Sequence, residues 1–411
     1  MRCRWGFVGL VAIAIAISYF DRQTLPVAIQ AIQQSIAITN EQYAYLQTAF
    51  LLSYALLYAL SGRMLDRIGT RLGFAFIMAW WSLACALHGL AAGFGLLMLA
   101  RLMLGAGEGG AFPAASRVVA EWVPSTDRST AMGIINAGTA VGAVLAPPMI
   151  GVILLHSGWR CVFFAAGATG FVWVICWWFS YRPNSEALSK STLDARLMGK
   201  VVGLGELLRM KNVQAFVFAK FMSDAAWYFL LFWLPKYLYD VRGFDIAHVG
   251  YYAWIPYAAS GVGSFLGGWF SSRVLKRSGS LDFARKLALG LCACGMPVVM
   301  LVSHSPMGMA IALFSIAFAC QQAWSGLVMT LPTDVFPLTL VGTVAGLIGC
   351  GGALGGALFS LFVGRMLGLG FHYGTLFAIA GLFHLIGFLA IVLFAGKIHP
   401  LRVHDLQEQL S

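Results

Sequence analysis

Two acids and two arginines inside apolar sequence are the residues best suited to chemistry. Asp21 and Arg22 lie in the first apolar segment of the chain, and Arg101 and Glu108 lie in the fourth. A charged side chain at membrane depth costs about 2.5–3.5 kcal/mol to insert, and it persists where it has a partner or faces a water-filled cavity. We therefore expect these four residues to meet. The alternative places Asp21 and Arg22 at a solvated helix end, but the apolar sequence that follows them favours the first interpretation.

Both kinds of side chain fit the binding of an anion together with a proton. Arg101 and Glu108 are two helical turns apart, so they share one face of a helix. Glycines around Glu108 allow another helix to pack closely, and removal from water disfavours the charged form of a carboxyl group. A carboxyl group in such a place can take up and release a proton. Arg22 and Arg101 would stay charged when buried, and a guanidinium matches the planar geometry of a carboxylate. A static ion-pair network between the two helices is the alternative.

The composition is that of a membrane protein that crosses the bilayer several times. Of 411 residues, 60% are hydrophobic and 10% are charged, whereas soluble proteins carry about 25% charged residues. The apolar runs last about 20 residues, the length that a helix needs to cross the hydrocarbon, which excludes an outer-membrane β-barrel. The net charge of +11 reflects basic loops retained in the cytoplasm and does not indicate nucleic acid. The scattered cysteines indicate neither a disulfide framework nor a metal site, and we predict no metal and no cofactor.

Twelve apolar segments in two sets of six predict an all-α architecture of two six-helix bundles. The predicted organisation is a bundle at 1–181, a cytoplasmic connector at 182–212 with short helices at 193–198 and 204–210, a bundle at 213–398 and a cytoplasmic tail at 399–411. Most Lys and Arg residues fall on the side of the N-terminus, which predicts that both termini are cytoplasmic and the protein lies in the inner membrane. The predicted segments are 5–34, 41–62, 72–92, 94–118, 130–154, 160–181, 213–239, 248–272, 285–304, 308–333, 339–363 and 372–396.

A short polar pattern after the second segment recurs, in degenerate form, after the eighth. The first copy reads Gly62-x-x-x-Asp66-Arg67-x-Gly69-x-Arg71, and the second has Ser272 in place of the acid. Asp66 can accept hydrogen bonds from helix N-terminal amides or pair with a basic residue, which would latch the cytoplasmic side. Gly62 and Gly69 permit close backbone approach. We predict a gating loop, with a plain tight turn as the alternative.

This loop resembles the signature of the major facilitator superfamily, and further stretches resemble its anion:cation symporter branch, especially bacterial hexuronate transporters. The resemblance implies that Asp21 and Glu108 couple transport to protons. It favours Arg22 as the ligand of a substrate carboxylate and Arg101 as a partner of the acids, although the residues themselves leave the pairing open. The stretches are Tyr19–Leu25, Arg101–Pro113, Asn136–Gly142, Trp227–Leu238 and Gln322–Ser325.

A sugar acid also presents hydroxyl groups, which need neutral polar groups and an aromatic face. The aromatic candidates could equally be packing residues or interface anchors. Amides in an apolar span are more suggestive, because each needs a partner. Lys220 and Asp224 could pair across one helical turn as a structural element, or could line the cavity. The candidate substrate ligands besides the arginines are Tyr19, Tyr54, Asn136, Gln321, Gln322 and Trp324.

The sequence thus predicts a monomeric secondary transporter that takes an organic anion and a proton through the lipid bilayer into the cytoplasm. A hexuronate or aldonate is the expected substrate. Another carboxylate (an aromatic or tartrate-like acid), phosphate, or anion exchange on the same fold are the alternatives. An enzyme is not expected, because no set of nucleophile and base is visible. Primary active transport is not expected either, because the sequence has no phosphate-binding Gly-x-x-x-x-Gly-Lys-[Ser/Thr] loop.

Overall fold

The computed structural model describes residues 2–198, 202–243 and 246–401, and within these ranges it contains helices and no strand. Residues 199–201 of the predicted connector and 402–411 of the predicted tail lie outside the described residues. The α-helices are α1 (Arg2–Gln33), α2 (Asn40–Ile68), α3 (Thr70–Gly89), α4 (Phe94–Glu108), α5 (Ala111–Trp122), α6 (Arg128–Ser180), α7 (Ser185–Met198), α8 (Leu204–Arg209), α9 (Lys211–Asp240), α10 (Ile246–Ser278), α11 (Leu281–Gly295), α12 (Met307–Val335), α13 (Leu338–Gly368) and α14 (Tyr373–Phe394).

Eight of the described helical segments are long and apolar enough to cross a membrane, which agrees with the predicted multi-pass architecture. Each of the twelve predicted segments overlaps helical residues. The eight segments are Arg4–Gln33, Tyr45–Ile68, Thr70–Gly89, Arg128–Ser180, Leu281–His304, Met307–Val335, Leu338–Gly368 and Tyr373–Phe394.

Proline and glycine account for the places where the helices differ from the predicted segments. The fourth segment divides after Glu108, because Pro113 has no N–H to bond the carbonyl of Gly109. The fifth and sixth segments lie within α6, which consists of two helices that meet at a kink at Gly158, whose φ is 77° and ψ 171°. Pro147 and Pro148 therefore do not break the helix. The sequence predicts that these prolines break or bend the helix; the break is absent, and the bend stays a prediction.

Two further differences concern the connector and the ninth segment. The predicted short helices at 193–198 and 204–210 are present as α7 and α8, and α7 begins earlier, at Ser185. The ninth segment is α-helical up to Gly295 and continues as a 3₁₀ helix, Met296–His304. Pro297 explains the change, because it cannot donate a hydrogen bond to the preceding turn.

The contacts between helices divide the chain into two units. Unit 1 comprises Met1–Val123, Gly138–Arg196 and Leu338–Cys350. Unit 2 comprises Pro124–Ala137, Leu197–Pro337 and Gly351–Ser411. The bundle boundaries drawn from the sequence stay a prediction.

Glycines bring four helices of unit 1 close together in two pairs around the first charged residues. A Cβ at Gly138 or Gly142 of α6 would meet the carbonyl oxygens of Ala12 or Ala16 in α1. On α4, Gly109 faces the backbone of α2, and a Cβ there would lie 2.8 Å from the carbonyl oxygen of Tyr54. Helices that lack side chains at their contacts can approach closely. This packing places Glu108, next to Gly109, between α1 and α2.

Unit 2 is held by a large aromatic and aliphatic core and by a buried ion pair. The guanidinium of Arg285 is fully buried and donates to Asp334 at 2.7 Å, Ser271 at 2.8 Å and Ser129 at 3.0 Å. A buried cation with several acceptors is a structural element. Arg285 is the first residue of the predicted segment 285–304, a position at which the sequence favours a solvated charge.

Candidate functional site

An ion pair between the first and fourth helices lies at the centre of unit 1. Arg22 Nε lies 2.5 Å from Glu108 Oε2, and Ser18 Oγ donates to the same oxygen at 2.8 Å. Glu108 is fully buried, whereas the side chain of Arg22 is 16% exposed. The other carboxylate oxygen, Oε1, is buried and has no hydrogen-bond partner among the described residues. Only one of the two carboxylate oxygens of Glu108 therefore pairs with Arg22.

Asp21 is the second buried acid of this cluster. Its side chain is fully buried, and neither carboxylate oxygen has a hydrogen-bond partner within the described part of the chain. Glu108, Arg22 and the thiol of Cys85 lie within electrostatic range of it. A buried carboxyl group left without partners is costly when ionised. The position suits a group that gains and loses a proton.

Arg101 completes the cluster, and its environment differs from that of Arg22. It is 1% exposed, and its Nε and Nη2 atoms have no hydrogen-bond partner among the residues that the structure describes. Its guanidinium carbon lies 5.6 Å from the ring centre of Phe50, and it is within electrostatic range of Glu108. The charges on Arg22, Arg101 and Glu108 thus belong to one buried cluster, as the sequence analysis expected.

Aromatic rings surround the guanidinium of Arg22. Its guanidinium carbon lies 4.6 Å from the ring centres of both Tyr19 and Tyr54, and 5.5 Å from that of Phe50. Such contacts stabilise a cation by about 0.5–2 kcal/mol each, more where water is excluded. Arg22 therefore combines an ion pair with Glu108 and cation–π contacts with three aromatic rings.

The predicted gating loop places Asp66 against the first turns of α13. Its carboxylate accepts from Gly342 N at 3.0 Å, from Thr343 N at 2.6 Å and from Thr343 Oγ1 at 2.6 Å. The buried side chain of Arg117 pairs with the same carboxylate. Both kinds of partner that the sequence suggested for Asp66, helix amides and a base, are therefore present.

The remaining residues of the gating loop have distinct environments. Gly69 has a φ of 84°, which favours glycine, and Gly62 lies so close to Gly342 that neither position has room for a Cβ. Arg67 is exposed. Arg71 donates to the carbonyl of Trp178 at 2.7 Å and lies over its ring.

Unit 2 contains a separate amide cluster made by three of the predicted substrate ligands and their neighbours. Asn136 Nδ2 donates to Gln322 Oε1 at 2.8 Å, to the Gln322 carbonyl at 3.0 Å and to Ser264 Oγ at 3.1 Å. Gln321 Oε1 forms a hydrogen bond with Nε2 of His384, and the ring of His384 is fully buried. These amides find the partners that buried polar groups require.

Trp324 and the Lys220–Asp224 pair lie in the same unit. Trp324 is fully buried, its Nε1 atom has no hydrogen-bond partner among the described residues, and its ring centre is 5.2 Å from that of His384. Lys220 Nζ lies 2.9 Å from Asp224 Oδ1 and donates to Ser325 Oγ at 2.7 Å. The predicted i,i+4 pairing is confirmed.

Residues 11–360 match the sequence profile of the Major Facilitator Superfamily. The chain belongs to this superfamily. It is 30% identical to the hexuronate transporter of Escherichia coli (strain K12), over 94% of this chain and 93% of that protein. It is 27% identical to the galacturonate transporter of Dickeya chrysanthemi, over 82% of this chain and 98% of that protein. The solved structure of the proton:xylose symporter XylE bound to 6-bromo-6-deoxy-D-glucose has a TM-score of 0.76 at 15% identity and covers 98% of both chains.

These findings establish the fold and the broad class. The chain has the all-α, multi-pass fold of the major facilitator superfamily, and it is a transporter and not an enzyme. The predicted family is confirmed, including the likeness to hexuronate transporters.

Sequence reasoning missed several residues of this major facilitator protein's site. Ser18 lies one turn before Arg22 and donates to Glu108, and the i,i+4 spacing was a usable signal. Phe50, which contacts both arginines, carried no signal within its apolar segment. Arg117 was counted as a loop charge, yet it is buried against Asp66.

Proposed function

We propose that this protein is a proton-coupled symporter that takes up a sugar acid, a hexuronate or an aldonate. The substrate class is supported by relatives named as hexuronate and galacturonate transporters, aligned over most of the chain. The coupling is supported by one observation above all: two acids and two arginines share one cluster, in which Asp21, Arg101 and Glu108 are buried and Arg22 is partly exposed. In this proposal the protein lies in the inner membrane as a monomer with both termini in the cytoplasm, and the Asp66 loop acts on the cytoplasmic side.

The charge of the cluster gives the coupling its physical basis. With Asp21 and Glu108 ionised and both arginines protonated, the four charges cancel. One added proton leaves a single positive charge, which one substrate carboxylate neutralises. Because a net charge in a low-dielectric environment is costly, proton and anion each stabilise the binding of the other. The same reasoning makes binding of either one alone unfavourable.

Arg22 is the proposed ligand of the carboxylate. Glu108 occupies its Nε at 2.5 Å. Protonation of Glu108 removes the charge from this pair and weakens the hold on the guanidinium, which then offers its donors to the substrate. The rings of Tyr19 and Tyr54 keep the Arg22 guanidinium in place while it exchanges Glu108 for the substrate carboxylate. Arg101 supplies the compensating charge for Asp21 in this scheme.

The sugar hydroxyls need neutral partners, and Tyr19 and Tyr54 are proposed to supply them beside Arg22. Asn136, Gln321, Gln322 and Trp324 stay predicted ligands. The amides of Asn136, Gln321 and Gln322 are already paired in the structure, so binding a hydroxyl there would require an exchange of hydrogen bonds.

Glu108→Gln tests the coupling in proteoliposomes. The glutamine keeps the size and polarity of the side chain but cannot carry a proton. We expect the variant to lose accumulation of substrate against its concentration gradient, which an inwardly directed proton gradient drives in the wild type. Counterflow of labelled galacturonate, which needs no net proton movement, should persist. Ser18→Ala is the matched control: it removes a hydrogen bond from Glu108 without removing the titratable group, so pH-driven accumulation should remain.

Retention of pH-driven accumulation by Glu108→Gln would contradict the proposed coupling. The substrate is tested by competition in the same vesicles with glucuronate, galactonate, tartrate, benzoate and phosphate. Alkalinisation of a weakly buffered medium on substrate addition separates symport from anion exchange.

A further inference from the structure

A basic cavity of about 460 Å³ lies in unit 2, among residues that the proposed transport cycle does not use. It is formed by the junction of α8 and α9, the last residue of α12 and the segment that follows α14. The lining residues are Arg209, Met210, Lys211, Asn212, Phe216, Val335, Phe394, Ala395, Lys397, Ile398, His399 and Leu401.

The rim of this cavity is basic. Arg209, Lys211, Lys397 and His399 are all exposed, and none of the described residues that line the cavity is acidic. Lys211 is also the first residue of α9, a 30-residue helix whose N-terminus adds positive potential. The rim therefore attracts an anion.

The floor of the cavity is apolar. Phe216 is 1% exposed, Ile398 2% and Val335 4%, while Phe394 at the edge is 60% exposed. A basic rim over an apolar floor fits a ligand that has an anionic group and a hydrocarbon part. A small soluble anion would use only the rim.

Hydrogen bonds fix the segment that forms one wall. Ile398 N donates to Asp282 Oδ1 at 2.8 Å, and Leu401 N donates to the Val335 carbonyl at 2.8 Å. Lys286 pairs with Asp282 at 2.8 Å, and the rim residue Lys397 also lies within electrostatic range of this acid. The wall is thus preformed, and the rim keeps a net positive charge.

The cavity also lies at the ends of two candidate membrane spans. Two candidate membrane spans, Met307–Val335 and Tyr373–Phe394, end at residues that line it. Basic pockets between transmembrane helices bind anionic headgroups. A volume of about 460 Å³ falls within the range of small-ligand sites, roughly 300–1,000 Å³.

We propose that this cavity is a binding site for the headgroup of an anionic phospholipid, with its acyl chain along the apolar floor. The lipid would bridge α9, α12 and α14 and stabilise unit 2. This inference does not depend on the identity of the transported anion.

The test is thermal stability of the purified full-length protein in neutral detergent, with added phosphatidylglycerol or phosphatidylcholine. Phosphatidylglycerol should raise the Tm of the wild type by about 3–5 °C over phosphatidylcholine, as expected for a ligand well above its Kd. The triple variant Arg209→Gln, Lys211→Gln, Lys397→Gln should lose this difference. Native mass spectrometry should show retained phosphatidylglycerol on the wild type and not on the variant.

A matched control removes the same number of exposed charges elsewhere: Lys190→Gln, Arg196→Gln, Arg277→Gln. It should keep the stabilisation by phosphatidylglycerol. Equal loss in the control would show attraction to surface charge in general and overturn the proposal. The proposal would also be overturned if phosphatidylglycerol raised the Tm of the triple cavity variant as much as that of the wild type. A third arm adds inorganic phosphate and glycerol phosphate. If either reproduces the full rise in Tm, the site takes a soluble anion and the lipid assignment is wrong.

Discussion

Asp66→Asn probes the contact between the predicted gating loop and α13. The carboxylate accepts three hydrogen bonds, from Gly342 N, Thr343 N and Thr343 Oγ1, and pairs with Arg117. Asparagine keeps one acceptor oxygen. In place of the other it presents an NH₂ group to the two donors of Thr343. The substitution therefore removes two hydrogen bonds to a charged acceptor and also the charge opposite Arg117.

The magnitude follows from these contacts. Hydrogen bonds to a charged group contribute about 1.5–3 kcal/mol each, and removing one partner of a buried ion pair costs about 3–5 kcal/mol. Neighbouring effects do not add, so we expect a total loss of about 3–5 kcal/mol. For a protein of 411 residues that corresponds to a fall in Tm of about 3–6 °C. Uptake should fall as well, because the contact holds α2 against α13 within unit 1.

The assay compares Tm and galacturonate uptake of Asp66→Asn with two controls. Thr343→Val removes one hydroxyl donor and leaves both amides, so its cost should be about 1 kcal/mol. Arg67→Gln alters an exposed neighbour in the same loop and should change stability by less than about 0.5 kcal/mol. The reasoning is refuted if Asp66→Asn melts within experimental error of the wild type, or no lower than Thr343→Val.

Two other predictions concern helix packing and the second ion pair. Gly142→Ala puts a methyl group against the carbonyl oxygen of Ala16 in α1 and 2.9 Å from Tyr19 Cβ. We expect the free energy of unfolding to fall by about 1–3 kcal/mol. Gly151→Ala, with nothing within 4 Å, should leave the Tm unchanged or slightly raised, and equal Tm values for the two variants would contradict the packing argument. Lys220→Met leaves Asp224 buried without its cation and should cost about 3 kcal/mol. Adding Asp224→Leu should recover much of the Tm, and uptake by this double variant then decides between a structural pair and a role in transport.

The helices were predictable because the membrane imposes one simple rule. Every backbone polar group must be bonded within the hydrocarbon, so apolar runs of sufficient length become helices. The pattern of apolar runs could not show where each helix ends or how it connects to the next helix. The division after Glu108 depends on Pro113, and the kink between the two helices of α6 lies at Gly158, which adopts a φ of 77°. Both are single-residue effects within long apolar stretches.

The candidate site was predictable to the level of residue type and no further. Charges in apolar sequence indicated Asp21, Arg22, Arg101 and Glu108, because each would be too costly without partners. Their pairing depends on the rotation of α1 relative to α4 within unit 1, which no single sequence encodes in a readable form. The same limit explains Arg285: its position near a predicted helix end suggested a solvated charge, yet it is fully buried.

The contact of Gly62 with Gly342 has a consequence for sequence variation. Each lies against the backbone of the other, so a side chain at either position would displace the opposite helix and pull Thr343 away from Asp66. The residues at these two positions, which are far apart along the chain, should therefore co-vary in related sequences. A lineage that acquires a methyl group at one of them should also show a changed acid at position 66, because the geometry that the acid needs would already be gone.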